Sequence, residues 1–413
     1  MTPKPNASAD PICDFYTSHP YPPPVDNLDR ARELWQNEIV PRSEFHLLWP
    51  NKQYRTDLDV LVAGCGTFQS AKHALCHPEA RVVGIDVSTT SLEHTERLKQ
   101  KYNLTNLVTR QVQIEDAGEL DQRFDLIVCT GVLHHLADPD AGLRALRSAL
   151  KPDGAMYLMV YAPYGRTGVY MLQDYCRRLG IGTSPQEIND LVAVLRVLPP
   201  HHPLLASQGG SRDFMNGDAL ADALLNPRDR SYSVPELYDF IERNDLQLGR
   251  WYWQAPYLPH CGAISNTPHA ARLAALPARE QYAQMELWRG LMANHSFVVH
   301  HRNASDDAQV RFDDDRYLSY VPVRLPWTIC IQERLPPGAA GALLNQTHLF
   351  NDLYLIIDPH EKQMFDAIDG RRSIAEIAAG VKDALPRARD LFEQLWWYDQ
   401  VVFDTSPLSQ TSI

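Results

Sequence analysis

The sequence predicts an α/β protein: a doubly wound, largely parallel sheet followed by a smaller α+β unit. Three observations lead there. From about Leu58 to Tyr161, short apolar runs alternate with helical stretches, the rhythm of a parallel sheet covered on both faces. The run Val60-Leu61-Val62-Ala63 breaks into Gly64-Cys65-Gly66, and an acid, Asp86, closes the next run, Val82-Val83-Gly84-Ile85. Strand, glycine turn, helix, strand and acid form the front half of a nucleotide-binding βαβ unit. There the glycines admit a ligand to the backbone and the acid receives ribose hydroxyls. Finally, the alternation stops after Tyr161, and a different pattern begins beyond the polar run 303–307.

The elements follow in order. Residues 1–14 are polar and are expected to be disordered. The aromatic and proline-rich segment Phe15 to Val25 is expected to be extended. It is either a stiff arm laid over the core or an aromatic lid over a bound cofactor, because its aromatics must bury against something. Residues 1–40 make up this arm, with Tyr16 and Tyr21 as its candidate substrate contacts. Strands are expected at 58–63, 82–86, 107–112, 124–129 and 155–161, and helices at 67–76, 89–102, 116–121 and 139–150. Lys151-Pro152-Asp153-Gly154 reads as a turn before the fifth strand.

Residues 162–230 break the rhythm with helical stretches near 167–180 and 185–198 and a Pro/His loop at 199–203, an insertion expected to cap the ligand edge of the sheet. Ser233 caps a helix to about Arg243, with Pro235 in its first turn. Leu246–Trp253 alternates as a strand; a helix at 278–293 and an antiparallel edge strand at 295–301 follow. Trp251, Trp253 and Tyr257 read as core, with a cage for an aromatic or cationic acceptor as the alternative. Residues 303–307 are a linker. Beyond it, a helix with Met364, Phe365 and Ile368, the turn 369–373, helices at 374–381 and 386–397, and the strand Val401-Val402-Phe403 suggest a small winged-helix arrangement.

Composition narrows the function classes. The chain has 413 residues, enough for two or three domains. A net charge of −12 opposes a nucleic-acid partner, which needs a cationic surface. Cysteines 13, 65, 76, 129, 176, 261 and 330 form no CxxC pair and no zinc spacing, so they read as reduced thiols and no metal site is expected. His201 and His202 stand apart from any acid or cysteine that would complete a metal site. The N-terminal stretch has no secretory pattern and no apolar window spans a bilayer, so a cytoplasmic protein without membrane contact is expected.

Two families compete for the glycine turn. A dinucleotide oxidoreductase shows GxGxxG, but Gln69 stands where the third glycine would be. By contrast, Gly64-Cys65-Gly66-Thr67, Gly84-Ile85-Asp86-Val87-Ser88, Phe124-Asp125-Leu126-Ile127-Val128, Gly131-Val132-Leu133-His134-His135-Leu136 and Leu150-Lys151-Pro152-Asp153-Gly154 fall in the order and spacing of another family. In these segments the chain resembles the class I S-adenosylmethionine-dependent methyltransferases of the type 11/12-like kind.

The resemblance implies a Rossmann-like, seven-stranded methyltransferase core over 41–303, with the helical cap at about 162–230. Its cofactor is S-adenosyl-L-methionine and its product S-adenosyl-L-homocysteine. It places the turn Gly64, Cys65 and Gly66 against the methionine moiety and Asp86, beside Val87, on the ribose hydroxyls. Glu115 and Asp116 fall near the adenine amino group, and Thr130 and Gly131 on the methionine and sulfonium side. Two positions depart from the family: Val62 stands where an acid usually helps hold the cofactor's amino group, and Phe68 where glycine opens the helix. The missing acid leaves an amino-group contact to be supplied elsewhere, for which the N-terminal arm is a candidate.

Methyl transfer from a sulfonium has a good neutral leaving group, so in-line positioning and desolvation carry most of the rate. A base matters only for an acceptor with a proton of high pKa. His134 and His135 follow the fourth strand at the ligand edge, where they form either a structural turn or, at His135, a catalytic contact. Tyr161, Tyr164 and Arg166 follow the fifth strand and are expected to face the same crevice, Tyr161 as a further catalytic candidate and the others toward substrate.

More loosely, residues around 345–404 resemble the small winged-helix domain that binds precursor peptides in pyrroloquinoline quinone biosynthesis, on the stretch Ile368 to Ile377. That leaves 304–413 as an interaction or homodimerisation module, or as a trap for a peptide leader along a strand edge. The expected activity is methyl transfer to a small metabolite or natural-product acceptor. The alternatives are modification of a peptide or protein recruited by the C-terminal unit, and a non-catalytic, regulatory S-adenosylmethionine binder.

Overall fold

The five apolar runs of the front half become β1 (Asp59–Ala63), β2 (Arg81–Asp86), β3 (Leu107–Gln111), β4 (Phe124–Thr130) and β5 (Leu150–Tyr161) in the computed structural model, which describes residues 11–208, 217–303, 309–382 and 384–407. With β6 (Leu246–Trp251) and β7 (Asn294–His301) they form one sheet in the order β3-β2-β1-β4-β5-β7-β6. β1 to β5 run parallel, and β7 pairs antiparallel with β5, Met156 opposite Val299. This is the Rossmann-like order expected. Strand order reverses between β1 and β4, which opens a crevice at their carboxyl ends.

The amino ends are tied off by charge. Lys151 Nζ lies 2.7 Å from Asp59 and 2.8 Å from Asp125, while the Asp125 carboxylate accepts the Asp59 amide at 2.8 Å. Residues 151–154 are therefore strand and not the expected turn. Pairing between β4 and β5 slips between Phe124 and Leu126, and a bulge takes up the extra residues. The helix expected at 116–121 is a short 3₁₀ segment, Ile114–Glu119.

Close packing behind the glycine turn explains why Gln69 can replace a third glycine. The helix Gln69–Cys76 lies on β2 at Gly84, where an added Cβ would stand 2.5 Å from Ser70 Oγ. Here the strand, rather than the helix, gives up its side chain. The next helix, Thr89–Tyr102, is capped by Ser88, whose hydroxyl accepts the Ser91 amide, and it stops at Asn103 in the left-handed region.

The N-terminal segment differs from expectation. Residues 1–10 lie outside the described residues, but Pro11–Ser18 is a helix rather than an extended arm, and Ile12 and Phe15 are buried. Apolar residues at 12 and 15 share one helical face, and prolines gather only from residue 20 onward. The cap is helical as expected: Thr167–Leu179, Pro185–Leu195, Pro203–Gln208 and Gly217–Leu225 share a core of Val169, Leu172, Cys176, Leu191, Leu204 and Leu220. Phe15 buries against Ile188 and Ala221 of that cap.

The chain divides into two compact units: Met1–Arg32, Thr56–Gln247 and Arg289–Arg302 make one, and Glu33–Arg55, Leu248–Trp288 and Asn303–Ile413 the other. The division is discontinuous in sequence, unlike boundaries near 40 and 303. In the second unit, Ala255, Leu258 and Cys261 enter one core with Leu343, Phe365 and Phe392, and the helix Ile39–Leu48 packs on its strands. Most of the linker expected at 303–307 lies outside the described residues.

That unit contains β8 (Val321–Arg324), β9 (Thr328–Ile331), β10 (Gly341–Asn345), β11 (Tyr354–Ile357) and β12 (Val401–Asp404), as a β11-β10-β9 sheet and a β12-β8 pair. Its helices are Pro359–Asp366, Ile374–Ala379 and Leu385–Trp397. Trp251 and Tyr257 are core: their rings stack at 3.9 Å, and Tyr257 sits in a 3₁₀ turn beyond the end of β6.

Candidate active site

A cavity of about 440 Å³ lies within the first unit at the carboxyl edge of the sheet. At one end is the glycine turn. Gly64 and Gly66 have φ of +66° and +53°, where an L side chain is strained, and a Cβ on Gly66 would stand 2.8 Å from Pro22 Cδ. Asp86 ends β2 beside it: Oδ2 accepts the Gly66 amide at 2.8 Å and Oδ1 the Ser88 amide at 2.9 Å. The ionised carboxylate keeps acceptor capacity beyond these amides for the hydroxyls of a ligand. Burial raises the Asp86 carboxyl above its ordinary pKa, against the opposing pull of the Ser88, Gly66 and Val87 amides.

Val87, Glu115, Thr130 and Gly131 also line the cavity. Cys65 and Asp116 do not. Cys65 is fully buried beneath the turn, where burial raises its thiol pKa, and the 3₁₀ segment presents Glu115 rather than its neighbour. Phe68 lines the wall, and Val62 is sealed inside the sheet.

At the other end, His135, Tyr161, Arg166 and Tyr16 come together. Tyr161 is clamped flat: Arg166 Cζ lies 3.5 Å from its ring centroid and the His134 ring 3.8 Å from it. Arg166 also donates to Asp229 at 2.9 Å. His134 is thus a buried support rather than a cavity residue, its pKa driven well down by burial and then by the charges of His135 and Arg166. His135 Nδ1 lies 2.6 Å from the Arg228 carbonyl oxygen, which can only accept, so Nδ1 carries the proton. In the neutral ring Nε2 is then a bare acceptor, and it has no hydrogen-bond partner among the described residues. Tyr164, expected in the crevice, is 41% exposed and does not line it, because the chain turns outward before the cap helix.

The N-terminal segment closes the cavity. Tyr21 and Pro22 line it, and Thr67 Oγ1 donates to the Pro22 carbonyl at 2.8 Å. Ser88 Oγ donates to the Tyr16 carbonyl at 3.0 Å, and the Tyr16 hydroxyl donates to Asp222 Oδ1 of the cap at 2.7 Å. Burial, and secondarily Asp222, holds the Tyr16 phenol well above its ordinary pKa, so it remains a donor at neutral pH. Asp222, Arg228, Met159 and Asn294 are cavity residues that sequence reasoning missed. Asp222 and Arg228 come from the cap, Met159 from β5 and Asn294 from the antiparallel β7, where no motif marks them.

A family model of a methyltransferase domain matches residues 61–156, from β1 into β5. The chain carries a class I methyltransferase domain. The match covers the glycine turn, Asp86 and the His134-His135 segment of this domain. An uncharacterised Synechococcus protein is 32% identical over 195 residues, 45% of this chain and 46% of the relative. A ubiquinone biosynthesis O-methyltransferase of Neisseria meningitidis is 31% identical over 99 residues, 24% of this chain and 42% of the relative. The chain thus spans less than half the length of these two curated relatives. PKMT2 from Rickettsia typhi, solved with AdoHcy, superposes with a TM-score of 0.62 at 16% identity, covering 94% of this chain and 78% of the other. At that identity the likeness speaks for the fold.

The cofactor of a class I methyltransferase domain is S-adenosylmethionine, and the residues fit it: side-chain-free turn, acid with acceptor positions to spare, and an enclosing cavity. Its pH response has a definite sign. Ribose hydroxyls need the ionised Asp86, so S-adenosylhomocysteine affinity is expected to fall as pH drops through the raised Asp86 pKa, above 3.8. Titration calorimetry on the wild type and Asp86→Asn tests this, since the variant should lack that inflection. For folding alone, the raised pKa makes the protonated form the favoured one. The ligand-free domain therefore loses stability as pH rises from 3.8 through the raised value.

Proposed function

We propose that the chain is an S-adenosylmethionine-dependent methyltransferase acting on a small metabolite or natural-product acceptor. The observation that supports it is the joining, in one enclosed cavity, of the glycine turn and Asp86 with His135, Tyr16 and Tyr161. S-adenosylmethionine supplies an activated methyl group on a neutral leaving group. The chain's part is to hold the sugar on Asp86, present the methionine moiety along Gly64, Gly66, Thr130 and Gly131, and keep water out with the N-terminal helix and the cap. Nε2 of His135 takes a proton where the acceptor has one to lose, and the clamped Tyr161 orients it.

Tritiated methyl donor incubated with the full chain and a cell extract tests this reading. Label in the filtrate of a 3-kDa membrane that elutes apart from the donor and needs the active chain supports a small acceptor, since about 3 kDa separates metabolites from peptides longer than some 25 residues. Under the same conditions His135→Ala is expected to lower turnover about 10²–10⁴-fold while S-adenosylhomocysteine affinity is unchanged. Equal turnover would remove the base role.

A second reading, a peptide or protein acceptor recruited by the C-terminal unit, has one observation in its favour. β11 is an edge strand, and Tyr354 and Ile356 stand exposed along it, a row to which an extended peptide can add. Label retained above the membrane would favour it.

A further inference from the structure

Three acids line the cavity: Asp86, Glu115 and Asp222. The first two have assignments on the donor. Asp222, in the cap helix Gly217–Leu225, has none, although it is 97% buried (3% exposed) and faces the cavity. Its Oδ1 accepts two neutral donors, the Tyr16 hydroxyl at 2.7 Å and Asn226 Nδ2 at 3.3 Å. Both of these bonds fall on Oδ1. Of the two arginines that line the cavity, Arg166 is engaged with Asp229 and the face of Tyr161, and Arg228 Nη1 donates to the His135 carbonyl at 3.3 Å. A buried carboxylate whose hydrogen bonds come from neutral donors gathered on one oxygen calls for a cation with N–H groups.

We infer that Asp222 receives an ammonium group of a ligand bound in this cavity, through Oδ2, with Tyr16 holding the carboxylate in position. The inference rests on the methyltransferase reading and adds what the cap contributes to recognition. Two sources can bring an ammonium here: the amino-acid tail of the donor, whose usual acid is replaced by Val62, or an amine on the acceptor. A primary ammonium gives Oδ2 a charge-assisted hydrogen bond, stronger than a neutral one and lost when the carboxylate becomes an amide.

The test compares the full-length wild type with Asp222→Asn, which keeps an acceptor for the Tyr16 hydroxyl, and with Tyr16→Phe, which removes only that hydroxyl. Calorimetry is run with S-adenosylhomocysteine and with 5′-methylthioadenosine, which lacks the amino-acid tail. If the donor's ammonium is the ligand, Asp222→Asn weakens S-adenosylhomocysteine about tenfold or more and leaves 5′-methylthioadenosine unchanged. Tyr16→Phe then weakens it by a smaller factor. If the acceptor's amine is the ligand, both nucleosides bind unchanged. Saturation-transfer NMR on the S-adenosylhomocysteine complex then shows butylammonium bound to the wild type, lost in Asp222→Asn, with 1-butanol silent in both. Unchanged nucleoside binding together with no butylammonium signal overturns the assignment of Asp222. A wild type that binds neither nucleoside overturns the methyltransferase reading itself, and this inference with it.

Discussion

Asp86→Ala is expected to reduce S-adenosylhomocysteine affinity about 10²–10⁴-fold, from the loss of two charge-assisted ribose hydrogen bonds at about 1.5–3 kcal/mol each. The loss reaches beyond the sugar. The same carboxylate accepts the Gly66 and Ser88 amides, so alanine also releases the glycine turn and the cap of the helix behind it. Gly66 is where Pro22 closes on the turn, so the N-terminal segment should loosen as well. Calorimetry measures the first effect and proteolysis near residues 19–24 the second. An alanine variant that binds the nucleoside as tightly as the wild type would remove the basis for placing the donor in this cavity.

Arg166→Met carries the next largest effect, and it falls on both stability and turnover. Arg166 and Asp229 form a buried pair, with side chains 8% and 3% exposed. Removing one partner leaves a buried charge, which costs about 3–5 kcal/mol. Gln173, which also donates to Asp229 at 2.7 Å, offsets part of that. Methionine keeps the apolar stem but loses the guanidinium plane, so Tyr161 is held on the His134 face alone. Chemical denaturation should therefore show a lower midpoint, and turnover should drop with little change in donor affinity, because Arg166 is not among the residues proposed to hold the donor. Arg166→Lys should rescue poorly, since an ammonium cannot stack on the ring and bond Asp229 in one fixed plane. Full stability in either variant would mean that the pair is not a strut of the cavity.

The part of the site that was legible in sequence is local. Gly64, Gly66 and Asp86 stand within one βαβ unit, where strand period and turn chemistry fix their geometry over some twenty residues. Thr130 ends β4 and Gly131 and His135 come just after it, so the same strand pattern marks them. His134 and Tyr164 belong to the same stretches yet miss the cavity: one faces inward as a support for Tyr161 and the other faces solvent. Local pattern names the segment, while the direction of each side chain depends on what packs behind it.

The N-terminal segment makes the same point about packing. Its prolines suggest an extended arm, but residues 11–18 become helical because Phe15 has a core to enter, which the cap provides from 170 or more residues away, while Ile12 on the same face is buried at the cavity. In the second unit, Ala255, Leu258 and Cys261 join a core made mainly by residues 312–403, and the helix Ile39–Leu48 packs on β8 and β12, a partnership no window along the chain displays.

By itself, then, the amino-acid order determined the parallel sheet, the glycine turn with its acid, and the helical nature of the cap, since each depends on periodicity and backbone preference over short spans. Tertiary structure alone decided that Tyr16, Asp222 and Arg166 meet His135 around one cavity, and that the chain's units are discontinuous. Those outcomes turn on burial of apolar faces and pairing of buried charges between distant segments, quantities that exist only once the chain has folded.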